Sequence, residues 1–422
     1  MARTSEITGF YKLSPREKLE AVKKFADLTD EDVEIIRSMG GLELELANRM
    51  IENVIGAMAV PLGVAVNFRV NDKDYLVPMA IEEPSVVAAA SNAAKMARSK
   101  DGFHTSDTGP VMIGQIQALD IKDPQGARLR ILAAKEEILK KANEQDPLLV
   151  KYGGGARDVR AKVIESIVGP MVIAELLVDC RDAMGANAVN TMSEAVAPII
   201  ERVTGGRVLL KIISNLATER LVRARTVVAK EAVGGEEVLD GIVEAYAFAA
   251  ADPYRCATHN KGIMNGIIAV ALATGNDTRA LEAGAHSYAS ISGLYRPLTV
   301  WEKNEDGDLV GTIEIPLAVG TIGGATKVHP MARTSIKILG VKTASELASV
   351  MAAVGLAQNL AALRALAAEG IQRGHMRLHA RNIAAMAGAR GELVDVIVQR
   401  MVEEKKIRID RAKELLNELA KT

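Results

Sequence analysis

The residues with the most chemistry per unit length lie between Arg255 and Asn265. Arg255, Cys256, His259, Asn260, Lys261 and Asn265 fall within eleven positions, and the chain then turns apolar from Ile267 to Ala273. Polar groups set between apolar stretches are costly unless each is paired or used. Two chemistries fit these residue types. An ammonium at Lys261 can stabilise a developing oxyanion. Alternatively, Cys256 with His259 can form a nucleophile–base pair for acyl transfer, as in an acyl-CoA transferase or thioesterase. A satisfied buried network is the third reading. Asp277 follows sixteen residues after Lys261.

A second candidate is Glu82-Glu83, just before Pro84-Ser85. Such pairs are usually solvated, but this one stands between a predicted strand at 75–79 and an Ala-rich helix at 86–99. A carboxyl buried there would have a raised pKa and could donate a proton. A third is Asp179 to Thr191, where Asp182, Met184, Gly185 and Asn187 lie at a turn between an apolar strand and a helix. Small residues at a helix N-terminus expose backbone N–H groups that hold phosphate. An ordinary capped connection reads equally well. The chain has no G-x-G-x-x-G and no G-x-x-x-x-G-K-[ST], which argues against a Rossmann or P-loop site. Gly320 to Thr326 is a glycine-rich turn that permits close backbone approach. His375 and His379 stand four apart, but no third ligand accompanies them, so no metal site is expected. A lone His there suits proton donation near neutral pH.

The elements that must position these groups follow from periodicity and punctuation. Helices are predicted over 13–39, 86–99, 129–143 and 191–203, two more over 345–369, and an amphipathic one over 409–420. Strands are predicted at 75–79, 111–119, 172–179 and 208–214, and a hairpin at 298–316 turning on Asp306-Gly307. The stretch 102–110 reads as a loop and domain boundary. Alternation of strand and helix from 111 to 214 fits a compact split βαβ unit.

Composition narrows the class. The 422 residues suit two or three domains. Hydrophobic residues make up 49% but aromatics only 3%, so the core must be aliphatic and closely packed. A formal net charge of -1 argues against a dedicated nucleic-acid binder, though not against a local basic patch. Two cysteines fit a reducing compartment. The longest apolar run, 55–66, is broken by glycine and proline and is too short to span a bilayer. With no signal-like start, the expectation is a cytoplasmic protein outside the membrane.

Taken together, the segments resemble the class II, soluble 3-hydroxy-3-methylglutaryl-coenzyme A (HMG-CoA) reductases. The resemblance runs over essentially the whole chain. It rests on Glu52-Asn53-Val54-Ile55-Gly56, Val77-Pro78-Met79 through Ser85, Asp182-Ala183-Met184-Gly185-Ala186-Asn187, His259-Asn260-Lys261-Gly262, Thr274-Gly275-Asn276-Asp277 and Gly374-His375-Met376. It implies a two-step, four-electron interconversion of HMG-CoA and mevalonate plus CoA, with two nicotinamide cofactors. Glu83 matches the proton-exchanging glutamate, Lys261 the oxyanion-stabilising lysine and Asp277 an aspartate beside both, so the three should titrate as a coupled set. His375 matches the histidine that protonates the departing CoA thiolate. Ser85, Arg255 and Asn265 match residues that hold the HMG moiety.

The resemblance further implies an α+β fold. A large, mainly helical substrate domain (1–108 and 216–374) would carry an inserted small, ferredoxin-like, non-Rossmann dinucleotide-binding domain (109–215) and a C-terminal helical flap (375–422). Asp182, Met184, Gly185, Asn187 and Asn215 match cofactor-binding positions. Asp146 matches an acid that bonds the adenosine ribose and repels a 2′-phosphate, which favours NADH over NADPH. The active site is expected at a dimer interface, in a homodimer or a trimer of dimers. Tyr11-Lys12-Leu13 departs from relatives with an Arg that contacts CoA just before Leu-Ser-Pro.

Overall fold

The Ala-rich stretch expected as two helices is one, Ala344–Ala368, and the larger core is built around it. The structure is a computed structural model and describes residues 3–368, 380–404 and 406–419. Residues from Ala344 through Leu360 are buried almost without interruption. Small side chains make that possible. Gly355 lies where an added Cβ would come 2.8 Å from Ile267 Cδ1, and a Cβ on Gly266 would come 3.0 Å from Val354 Cγ1. Glycine on both helices therefore lets Pro253–Ala273 cross Ala344–Ala368 at close range. By length and composition the central helix could cross a membrane, but 67% of its apolar window is buried inside the protein.

A six-stranded sheet flanks this helix. Its strands are β1 (Leu62–Val70), β2 (Lys73–Ala80), β3 (Phe103–Asp107), β8 (Leu221–Val228), β9 (Thr299–Lys303) and β10 (Leu309–Pro316), in the order β2-β1-β3-β8-β10-β9. β3 replaces the loop expected over 102–110, and it sits between β1 and β8. Its Thr, Ser and Asp are mostly exposed, while Phe103 is fully buried against Phe68. β8 was not anticipated either, although Leu-Val-Arg-Ala-Arg-Thr-Val-Val alternates buried and exposed positions as a half-buried strand should.

The second sheet has β4 (Val111–Leu119), β5 (Gly155–Ile164), β6 (Met171–Asp179) and β7 (Arg207–Ile213), in the order β5-β6-β4-β7, all antiparallel. The helices Pro124–Ala133, Lys135–Asn143 and Ala186–Thr204 supply its own core, with Met112, Ile131, Leu176, Met192 and Ile200 buried. Gly114 allows the long helix to settle on β4, since a Cβ there would be 2.4 Å from Ser193 Oγ. Helices Glu392–Glu403 and Ile409–Leu419 close a third, small cluster around Ile397, Met401 and Leu415.

Candidate active site

Asp252 accepts the Arg255 N–H at 2.7 Å and Pro253 opens the helix, so the Pro253–Ala273 segment starts with a strong local signal. Half-way along it, Lys261 Nζ donates to Glu83 Oε2 at 2.9 Å. The two come from elements 178 residues apart. The Lys261 side chain is 61% exposed and that of Glu83 33%. A solvated pair of this kind adds little stability. Its interest is chemical, because a cation and a carboxylate share one point on an open surface.

Ser85 follows Glu83 closely in a left-handed conformation, φ 80°, at the N-terminus of the helix Val86–Ala97. Its hydroxyl oxygen is buried and has no hydrogen-bond partner among the described residues. An unpaired buried hydroxyl costs about 1–3 kcal/mol. A ligand group bonding there would recover that cost. Asn265 lies one helical turn after Lys261, on the same face. Burial pulls the Arg255 pKa below its usual value, and among the described residues no carboxylate stands within ion-pair distance of it.

Asp277 does a different job in this structure. Its Oδ1 accepts the N–H groups of Arg279 at 3.0 Å and Ala280 at 3.1 Å, capping the helix Thr278–Ala289, and it pairs with the Arg279 guanidinium. Next to it, Asn276 Oδ1 accepts the Gly320 N–H at 2.8 Å. The Gly320–Thr326 turn thereby reaches both halves of the site. An added Cβ on Gly320 would be 2.7 Å from the Met184 nitrogen, and the Asp182 carbonyl accepts the Thr321 N–H at 2.9 Å. His375 lies outside the described residues.

The loop at the second core has the geometry of a cradle. Gly185 has φ 107° and stands at the N-terminus of the 19-residue helix Ala186–Thr204, which no side chain caps. A Cβ there would strike Cys180 Sγ at 2.4 Å. Asn187 is exposed in the first turn, and Asn215 is exposed just after β7. The Asp182 carboxylate accepts the Ala344 N–H at 2.8 Å, at the start of the central helix. Asp146 Oδ1 accepts the Leu149 N–H at 2.9 Å and caps Pro147–Lys151. These residues fit a dinucleotide: free N–H groups, positive φ and no room for a side chain.

Arg220, which the sequence reading missed, ties this loop to the larger core. It is 4% exposed and donates to the carbonyls of Ala183 at 3.0 Å, Met184 at 3.2 Å and Val319 at 2.5 Å. No local motif flags an Arg at the start of a strand, so only the fold reveals it.

The acyl-transfer alternative fails on geometry. His259 Nε2 bonds Thr299 Oγ1 at 2.7 Å, and burial lowers its pKa to about 4. Cys256 is fully buried, and burial pushes its thiol up to about 11. A neutral, inert thiol without a base is no nucleophile. Cys256→Ala is therefore expected to leave turnover within about twofold, the size of effect typical of a side chain outside the chemistry. Steady-state rates check this.

His259 also makes a pH prediction. Its folded pKa lies below the ordinary 6.5, so between about 6.5 and 4 the unfolded chain binds a proton that the folded chain does not. Stability present above pH 6.5 is thus lost as pH falls, at up to about 1.4 kcal/mol per unit from this group. Urea unfolding of wild type and His259→Gln at pH 7 and pH 5 should show a smaller drop in the variant.

A Glu–Lys pair on one core and a glycine-bearing helix terminus on the other define a mixed α+β enzyme scaffold outside the Rossmann class. The family model for hydroxymethylglutaryl-coenzyme A reductase matches residues 14–380. The chain belongs to that family of oxidoreductases. It is 64% identical over 418 residues to the 3-hydroxy-3-methylglutaryl-coenzyme A reductase of Archaeoglobus fulgidus, covering 99% of this chain and 95% of the relative. It is 38% identical to a probable reductase of Borreliella burgdorferi, covering 89% and 86%. Among solved structures, the Streptococcus pneumoniae reductase aligns with a TM-score of 0.84 at 40% identity, covering 98% of this chain and 99% of the other. A class II reductase structure from the same organism, bound to NADPH in open conformations, aligns at 0.83 with 41% identity, covering 85% and 99%.

Proposed function

We propose that the chain interconverts HMG-CoA and mevalonate plus CoA with a nicotinamide cofactor, and that Lys261 and Glu83 carry the acid–base and oxyanion chemistry. The observation that supports this most is the Lys261–Glu83 contact at 2.9 Å beside the unpartnered Ser85 hydroxyl. Lys261 stabilises negative charge on the reacting oxygen, and Glu83 exchanges a proton with it. Arg255, with no carboxylate within ion-pair distance among the described residues, holds the free carboxylate of the HMG group, with Ser85 and Asn265 beside it. When bound, the dinucleotide supplies the hydride. Asp277 joins the Glu83–Lys261 pair through the substrate, and His375 protonates the leaving thiolate.

The cofactor is held by Asp182, Met184, Gly185, Asn187 and Asn215 on a ferredoxin-like unit spanning 109–215, inserted between 1–108 and 216–374. The site is shared across a homodimer. Exposed apolar Ile51, Ile55 and Met58, just before β1, support a buried role for that segment in an assembly. Asp146 uses one oxygen as a helix cap and leaves Oδ2 for a ribose 2′-OH, which supports NADH as the preferred donor.

Initial rates of NADH and NADPH oxidation with HMG-CoA test the reading; no oxidation of either would sink it. Asp146→Asn keeps the cap but removes the charge. It is expected to narrow the NADH over NADPH ratio of kcat/KM about tenfold, the worth of one charged hydrogen bond. An unchanged ratio removes Asp146 from that role.

A further inference from the structure

None of the residues lining one broad, open cavity on the larger core belongs to the site above. This cavity, of about 740 Å³, lies on the exposed face of the six-stranded sheet. Its floor is two cross-strand rows. In one, Ser106, Arg223 and Glu314 stand opposite one another on β3, β8 and β10. In the other, His104, Arg225 and Thr312 do so, continuing to Val300 on β9. The first row is neutral through pairing. Arg223 Nε donates to one Glu314 oxygen at 2.5 Å, and the Tyr288 hydroxyl donates to the other.

The second row has no acid. Arg225 faces His104 across the strand pair, and Arg296 adds a third guanidinium to the cavity wall. Among the described residues, no carboxylate lies within ion-pair distance of Arg225 or Arg296. Arg225 and Arg296 are thus two guanidiniums on one cavity wall, each with a planar fork of donors to offer an anion. Beside them the wall is apolar, formed by the exposed Ile291 and Val300 with Pro297.

The cavity is also separate from the reacting centre. Asn260 faces its rim, donating to the Arg296 carbonyl at 2.9 Å and accepting the Leu298 N–H at 3.0 Å. At 100° per residue, Lys261 and Asn265 point roughly 100° and 140° away around the helix.

We propose that this cavity is a second ligand site, for a phosphate monoester with a short aliphatic body. The phosphate dianion sits between Arg225 and Arg296, each able to bond it bidentately, and the body lies on Ile291, Pro297 and Val300.

Calorimetric titration of the full chain with butyl phosphate, at low salt, tests this. One equivalent per chain is expected, weakened about tenfold by Arg225→Ala or Arg296→Ala, the worth of one charge-assisted bond. Arg225→Lys, which keeps the charge, should retain most of the binding, and Arg255→Ala should retain all of it. Reductase rates without the probe should be unchanged in Arg225→Ala. Binding that survives Arg225→Ala but is lost in Arg255→Ala would place the probe in the reacting centre and overturn the proposal. A change in molar mass by light scattering in Arg225→Glu would overturn it in favour of a second copy covering the face. Inorganic phosphate binding as tightly as butyl phosphate would overturn the assignment of the apolar wall.

Discussion

Replacing Lys261 with alanine is expected to lower kcat by about a hundred- to a thousandfold, the usual cost of removing one oxyanion-stabilising donor. The thermal midpoint should hold, because the Lys261 side chain is 61% exposed and its hydrogen bond goes to a half-exposed Glu83. The loss should fall on kcat and kcat/KM alike, with little change in the binding of HMG-CoA, since the lysine acts on charge that develops during reaction. Glu83→Gln should behave similarly and should not add to Lys261→Ala, as two partners in one contact are not independent. Near-normal turnover of either variant, measured with purified protein and saturating cofactor, would remove that residue from the chemistry.

The second large effect is expected at Arg220, and it should be one of stability as well as function. Arg220→Met keeps much of the volume but leaves the carbonyls of Ala183, Met184 and Val319 without their donor. Leaving buried carbonyls without a donor costs about 1–3 kcal/mol each. Burial pulls the pKa of Arg220 below its usual value, and the neighbouring Cys180, Asp179, Asp182 and Asp107 oppose that shift. Denaturant unfolding should show the loss directly. In addition, KM for the dinucleotide should rise well before the protein unfolds, because the freed carbonyls belong to the turn leading into Gly185. A variant with normal stability and normal cofactor KM would show that the loop does not depend on Arg220.

How much of this was legible beforehand can be judged from particular residues. The strand-to-helix turn at Gly185 is local, with its cause within a few residues, and it appears where the sequence suggests. The strand at 103–107 was not legible, because its polar Thr and Ser side chains mimic a loop and only pairing with β1 and β8 makes them a strand. The central helix was divided in two by expectation. A helix buried on every side loses the amphipathic period that marks its ends.

By itself, then, the sequence determined the family, the aliphatic composition of the core, the absence of a Rossmann motif and the short list of candidate residues. These depend on residue type and order, which carry over without a fold. The tertiary structure alone decided which of those residues meet. It joined Lys261 to Glu83 across 178 residues and sent His259 to Thr299 rather than to Cys256. It also left Ser85 without a partner and placed Arg220 under the loop at Gly185. Contact across long stretches of chain, and the burial that moves a pKa, are properties of packing, and no spacing along the chain encodes them.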